Sequence, residues 1–214
     1  MITGFKKLTA GVVLLTICGV SISPTIAQQT SASRTQPPAV IKYDGDMASM
    51  LAQLPEIYGV TIGLEVDAQQ PQSQVGFYLL DPALPDVLNA IVKSAPRYQW
   101  RESDGFIQVF PLAGSSPLLD TMISSFRTSG VDEAGAINQL LNLPEMQANI
   151  RAMRVNHRAL VGTSTEQNGE KFSVNLEGVT LRQALNKIAK DSGGRFWIFR
   201  NYSDGSFSIG NSFQ

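Results

Sequence analysis

Apolar positions along the chain recur with two periods, and each period marks one kind of element. Val60 to Val66 (VTIGLEV) alternates and is rich in β-branched residues, which predicts a strand; Val75 to Leu80 (VGFYLL) predicts another. Leu84, Val87, Leu88 and Ile91 recur at helical spacing, so a helix is predicted from about Leu84 to Ser94. Met47 to Tyr58 is an earlier helix, with Pro55 bending or restarting its last turn and Gly59 ending it. Tyr98 to Arg101 and Phe106 to Phe110 form a hairpin around Ser103-Asp104-Gly105, where Asp-Gly supplies the positive φ angles of a tight turn. Beyond residue 118 the order returns. A strand near Ile123 to Arg127 precedes a helix from about Asp132 to Leu143, which restarts after Pro144 and runs to about Met153. Strands come next at Ala159 to Thr163 and Lys171 to Leu176. Leu181 to Asp191 is a helix capped by Thr180 and ended by Gly193-Gly194, and the last hairpin joins Arg195–Tyr202 to Ser206–Gly210.

The two stretches match each other in order. Leu51-Ala52-Gln53-Leu54-Pro55-Glu56-Ile57 answers Leu140-Leu141-Asn142-Leu143-Pro144-Glu145-Met146, displaced by 89 positions. Leu84-Pro85-Asp86-Val87-Leu88-Asn89-Ala90-Ile91 answers Leu181-Arg182-Gln183-Ala184-Leu185-Asn186-Lys187-Ile188, displaced by 97, so the second stretch carries eight extra residues between the motifs. Arg97-Tyr98-Gln99-Trp100 answers Arg195-Phe196-Trp197-Ile198, and the Asp-Gly turns at Asp104 and Asp204 complete the series. Four matches in register predict a duplication. The expected fold class is α+β, with two repeated β-α-β-β-α-β-β modules, each placing two helices against small β-sheets.

The ends of these modules are set by composition. Residues 1–27 have the form of an export signal, with Lys6 and Lys7 ahead of a 15-residue apolar run, Leu8 to Ile22, and small residues up to an expected cleavage after Ala27. The run is short for a membrane span, and Pro24 breaks any helix that would extend it. Residues 28–40 are a polar leader with Pro37-Pro38 near its end. The first module then occupies 41–111, a Pro/Gly/Ser-rich linker 112–117, and the second module, with its helical insertion, 118–212. The expected location is the periplasm or cell envelope of a bacterium, without a stable membrane span once the signal is cleaved. The one cysteine, Cys18, sits within the apolar run. The preceding Ile17 is too bulky for a lipoprotein site, and no disulfide can form within the chain.

Charge and chemistry narrow the function further. The chain has 17 basic and 18 acidic side chains and so lacks the basic balance of a general nucleic-acid binder. Residues 28–117 carry five basic and nine acidic groups, and residues 118–214 ten and nine. Arg151, Arg154 and Arg158 would line one helix face if the helix extends that far, as a solvated face or a docking patch for an acidic partner. With one histidine, His157, most zinc sites are excluded, and no nucleophile elbow, His-Glu-x-x-His or phosphate loop is present. His157 is read as a loop residue. Asp44-Gly45-Asp46 lacks the later ligands of a calcium loop and is read as a strand-to-helix turn with an N-cap. The carboxylate pairs Glu65/Asp67 and Asp132/Glu133 are close enough in sequence to be considered as acid–base pairs; Glu65 and Asp67 are read instead as a solvated strand end. No catalytic residue, cofactor or metal is expected.

The run Phe172-Ser173-Val174-Asn175-Leu176, continued by Thr180-Leu181-Arg182-Gln183-Ala184-Leu185 and Gly193-Gly194-Arg195-Phe196-Trp197, resembles the short N-terminal domain shared by secretins and TonB-dependent signal transducers (STN). Its marks there are a strand, a polar turn, a helix carrying Ala-Leu and an aromatic strand. The first module departs from that pattern at Pro82, Pro85 and Val87, and the second by its extra residues around Glu145 to Arg154. The resemblance implies a non-enzymatic interaction module in the periplasm. It also implies a protein partner in the envelope, such as a component of a secretin-like or TonB system. No barrel segment is read before Gln214, so what the modules signal to is expected on another polypeptide.

Aromatic side chains gather at the two hairpins. On the strand Phe196 to Arg200, both faces are apolar, which fits either a strand buried on both sides or an exposed platform. Arg195, Trp197, Phe199 and Arg200 are therefore the candidate partner-binding residues. The same platform would suit an alternative function, binding of a glycan or small molecule around Trp197.

Overall fold

The computed structural model describes residues 40–68, 72–158 and 170–210. The expected export signal, the leader up to residue 39 and the strand expected at Ala159–Thr163 lie outside the described residues. The order is β1 (Val40–Asp46), α1 (Met47–Tyr58), β2 (Thr61–Asp67), β3 (Gln74–Leu80), α2 (Leu84–Ser94), β4 (Tyr98–Ser103) and β5 (Phe106–Pro111). A 3-10 turn at Pro117–Asp120 leads to β6 (Met122–Val131), α3 (Glu133–Leu141), α4 (Pro144–Met153), β7 (Asn156–His157), β8 (Phe172–Thr180), α5 (Leu181–Asp191), β9 (Phe196–Asn201) and β10 (Ser206–Gly210). The fold is α+β, with five helices and three sheets among the described residues.

Local chemistry sets most boundaries. Asp46 caps α1 by accepting from the Ser49 backbone N–H at 2.8 Å and from that of Ala48 at 3.3 Å. Gly59 ends the helix in the left-handed conformation at φ 68°. Pro55 does not restart the last turn: α1 continues through it to Tyr58, with Leu54 and Pro55 both buried. Thr180 and Gln183 close a capping box on α5. The β4–β5 turn holds Asp104 and Gly105 at φ 55° and 76°, the pair of left-handed residues such a hairpin needs. Replacing Asp46 with alanine should cost about 1 kcal/mol, within the range of about 0.5–2 for a lost N-cap. A urea midpoint unchanged from the native protein would contradict that role for the carboxylate.

Two small antiparallel ribbons, β1–β3 and β6–β8, flank one six-stranded sheet ordered β4-β5-β2-β9-β10-β7. Within that sheet β2 runs parallel to β5 and β7 parallel to β10, while β4–β5 and β9–β10 are antiparallel hairpins. The sheet crosses the middle of the sequence, because β2 also pairs in parallel with β9, placing Ile62 opposite Phe196 and Gly63 opposite Trp197. The described residues belong to one compact unit.

Two cores lie on opposite faces of this sheet. Ile62, Leu64, Ile107, Val109, Phe196 and Ile198 pack with α1 and α2. Trp197, Phe199, Phe207 and Ile209 pack with α3, α4 and α5. Side chains alternate along a strand, so β9 serves both cores at once. Its apolar residues on both faces are a consequence of that position.

Candidate docking surfaces

The seam between β2 and β9 holds the most strongly buried charges. Glu65 and Arg182, at the start of α5, have side chains only 5% and 6% exposed. An Arg182 N–H donates to Glu65 Oε1 and another to Ser115 Oγ. Ser115 Oγ donates to Glu65 Oε2 at 2.7 Å, and the Ser116 backbone N–H donates to the same oxygen at 3.0 Å. Asp120 stands 3.6 Å from the guanidinium. The expected solvated strand end is thus corrected. β2 is an interior strand, and Glu65 lies on its face toward α5, against a cation 117 residues away in sequence. A carboxylate whose oxygens are occupied by a guanidinium, a hydroxyl and an amide is a structural clasp. It ties β2, α5 and the 112–117 segment together.

The four expected partner-binding residues separate. Trp197 and Phe199 are buried in the second core. The Trp197 Nε1–H donates to Asn186 Oδ1 at 2.8 Å, and the ring lies against Gly63 of the adjacent strand. They form no surface platform, because the β2–β9 seam covers one edge of the strand and α5 covers its face. Arg195 is exposed, at φ 52°, and its carbonyl accepts the Ile62 N–H at 2.9 Å. Arg200 is partly buried; burial pushes its pKa down, while Tyr202 and Asp46 act the other way.

The basic run 151–158 does not line one helix. α4 stops at Met153, Arg154 turns left-handed at φ 54°, and Arg158 lies beyond β7. There Arg158 pairs with Asp204 and stacks 4.4 Å over the Tyr202 ring. His157 lies on β7 against Phe207, ring centres 5.2 Å apart, and burial lowers its pKa. Asp204 also accepts from Ser206 Oγ at 2.6 Å and its N–H at 3.0 Å. The Ser206 bonds first, and then Arg158, hold its carboxyl down at about 2. A carboxyl more acidic in the folded state stabilises fully above its unfolded pKa and loses that contribution as pH falls through the folded one. Between pH 3.8 and about 2, the native protein should therefore lose stability more steeply than an Asp204→Asn variant. Parallel stability curves in acid titration would contradict this.

The ribbons differ in what they show to solvent. On β1–β3, Val40 faces Leu80 and Lys42 faces Tyr78 across the outer surface. Val40, Tyr78 and Leu80 are 45%, 60% and 66% exposed. The inner residues Ile41 and Val75 enter the first core. On β6–β8 the outer surface is polar over its middle, where Ser125, Arg127 and Ser129 face Glu177, Asn175 and Ser173, with Met122 exposed at the end of β6. Arg127 donates to Asn175 and Glu177, both at 2.8 Å. The first ribbon thus carries an exposed apolar group, Val40, Tyr78 and Leu80, beside Lys42 and Asp44, while the second is mostly polar. Sequence reasoning missed the first because its exposed residues alternate with core residues on the same strands. The signal was present in Tyr78 and Leu80, which share the face opposite Phe77 and Leu79.

Comparison with protein-family models, with curated proteins and with solved structures returned no match. Among the described residues, no helix is long and apolar enough to cross a membrane, and no cluster of three or more His, Cys, Asp or Glu side chains is placed to hold a metal ion.

Proposed function

We propose that the chain is an exported, non-enzymatic docking protein of the bacterial cell envelope, built from two copies of one β-α-β-β-α-β-β module of the STN kind. Its partner is a protein of an envelope transport, secretion or signalling assembly, and its contact is the outer surface of the β1–β3 ribbon. The observation that carries this reading is the exposed apolar set Val40, Tyr78 and Leu80 on that face. An apolar patch held in water is a common mark of a protein contact.

The duplication is supported by the strand pairings. In each half the first and third strands form an antiparallel ribbon, β1 with β3 and β6 with β8. The second strand runs parallel to the last, β2 with β5 and β7 with β10. The last two form a hairpin. A tryptophan on the first hairpin strand also donates to an asparagine on the preceding helix in each half, Trp100 to Asn89 at 3.0 Å and Trp197 to Asn186 at 2.8 Å. In both cases the partners are 11 residues apart.

Capture from envelope extracts tests the proposal. Tyr78→Ser with Leu80→Ser removes exposed apolar area without touching either core. It should lower recovery of the partner about tenfold, the effect of roughly 1.4 kcal/mol. Ser125→Arg on the polar ribbon should leave recovery unchanged. Equal recovery with all three proteins would overturn the assignment of the contact.

A further inference from the structure

We propose that a second copy of this chain pairs along the outer edge of β3, antiparallel about a two-fold axis at Phe77, with the second copy replacing the Ser94 hydroxyl at the Gly76 carbonyl. Tyr78 of each copy then lies over Gly76 of the other. The inference rests on the reading of the β1–β3 ribbon as a docking surface and names what takes its edge.

Six strands lie at sheet edges among the described residues: β1, β3, β4, β6, β7 and β8. Natural edge strands avoid pairing through charge, bulges or shortness. β1 carries Lys42, Asp44 and Asp46, and β4 carries Arg101 and Glu102. β6 carries Arg127 and an irregularity between Ser129 and Val131, β8 carries Glu177, and β7 is two residues long. β3, QVGFYLL, is seven residues without a charge, a proline or a register shift. It is the edge on which none of these devices acts; α2 reaches it through Ser94, whose Oγ donates to the Gly76 carbonyl at 3.4 Å.

The sequence of β3 is also complementary to itself. Antiparallel pairing centred on Phe77 sets Gly76 opposite Tyr78, Val75 opposite Leu79 and Gln74 opposite Leu80 of the other copy. Val75, Phe77 and Leu79 continue the inner apolar face, and no like charges meet. Above Gly76 the outer surface is open: a Cβ placed there would find nothing nearer than Asp44 Oδ1 at 3.7 Å. An aromatic ring has room to lie over that glycine, and Tyr78 is 60% exposed with its ring in water. The chain uses the same device internally, where the Trp197 ring lies over Gly63 of the neighbouring strand. Two tyrosine-over-glycine contacts and a seven-residue ladder would join the ribbons into one four-stranded sheet. Its outer surface would present Val40, Tyr78 and Leu80 twice.

Sedimentation equilibrium on the purified chain tests the pairing. The native protein should shift from monomer to dimer with rising concentration. Gly76→Thr and Tyr78→Ser should each weaken the association about tenfold or more while leaving the circular dichroism unchanged. The register is tested in a Cys18→Ser background by mixing a Gly76→Cys chain with a Tyr78→Cys chain. Directly opposed residues have Cα atoms about 4.5–5.5 Å apart, within disulfide reach. The mixed disulfide should form several-fold faster than a disulfide of either chain with itself. A native protein that stays monomeric, association that survives Gly76→Thr, or mixed and self disulfides forming equally fast would overturn the pairing. A monomer that still loses its partner on Tyr78→Ser with Leu80→Ser would reject self-pairing and leave the docking reading intact.

Discussion

Replacing Arg182 with leucine should destabilise the protein by about 3–5 kcal/mol, the usual loss when one member of a buried ion pair is removed. The change leaves the Glu65 carboxylate without its cation, in a site where its side chain is 5% exposed. Ser115 Oγ and the Ser116 N–H still donate to it, but neutral donors do not replace a full charge. Removing both charges should be less harmful. Glu65→Met combined with Arg182→Met is expected to recover about half of the loss, because well-packed apolar residues often match a buried pair in stability. The remaining deficit, about 1–3 kcal/mol, would reflect the Ser116 N–H left without an acceptor. Urea unfolding of the two single variants and the double variant gives the coupling directly. A single-variant loss below about 1 kcal/mol would mean that the pair behaves as a solvated surface contact.

Gly63→Ala should be nearly as damaging, although it adds only one methyl group. On the native backbone that methyl would overlap Cζ2 and Cε2 of Trp197 and stand 2.9 Å from Nε1. β2 cannot step aside, since it is paired with β5 on one edge and β9 on the other. The ring must leave its place and give up its 2.8 Å bond to Asn186. Overpacking of this kind costs about 1–3 kcal/mol, and the lost buried bond places the expected value at the upper end. Tryptophan emission should shift to the red as the indole loses its apolar surroundings. Adding Trp197→Leu to Gly63→Ala should recover part of the stability by vacating the overlap. A Gly63→Ala protein within about 0.5 kcal/mol of native, the range of an ordinary surface substitution, would contradict the close seam.

Elements whose information is local were legible in the sequence. The helix Leu84–Ser94 was expected at its observed limits because one apolar stripe meets a Pro-containing start, where the Asp86 carboxylate accepts the Ala83 N–H at 3.0 Å. Leu181–Asp191 was legible for the same reason, through Thr180 and Gln183. The Asp-Gly turn at Asp104 announced its hairpin. Pro55 misled only in part. It removes one N–H from α1, but Leu51, Leu54 and Pro55 are buried, the two leucines in the first core, and packing outweighs the missing bond.

What the sequence could not show was which distant groups would meet. Glu65 looks like any acidic residue near a strand end, and only the parallel pairing of β2 with β9 brings Arg182 over it. The two apolar faces of Phe196–Phe199 correctly admitted burial on both sides, but not that the two sides are different cores. The arginine spacing 151–154–158 suggested one helical face, and the left-handed turn at Arg154 breaks it. The exposed β1–β3 face was hidden by alternation, since each wet residue sits beside a buried one. Nothing local distinguishes a tyrosine that stays wet from one that packs.

Site-specific photocrosslinking in the living cell tests the docking account most directly. A photoreactive side chain at position 80, on the apolar ribbon, is compared with one at position 125, on the polar ribbon. The account predicts that position 80 yields a discrete adduct containing a different envelope protein and that position 125 does not. Adducts of the same kind from both positions, or a heterologous adduct from position 125 alone, would contradict it.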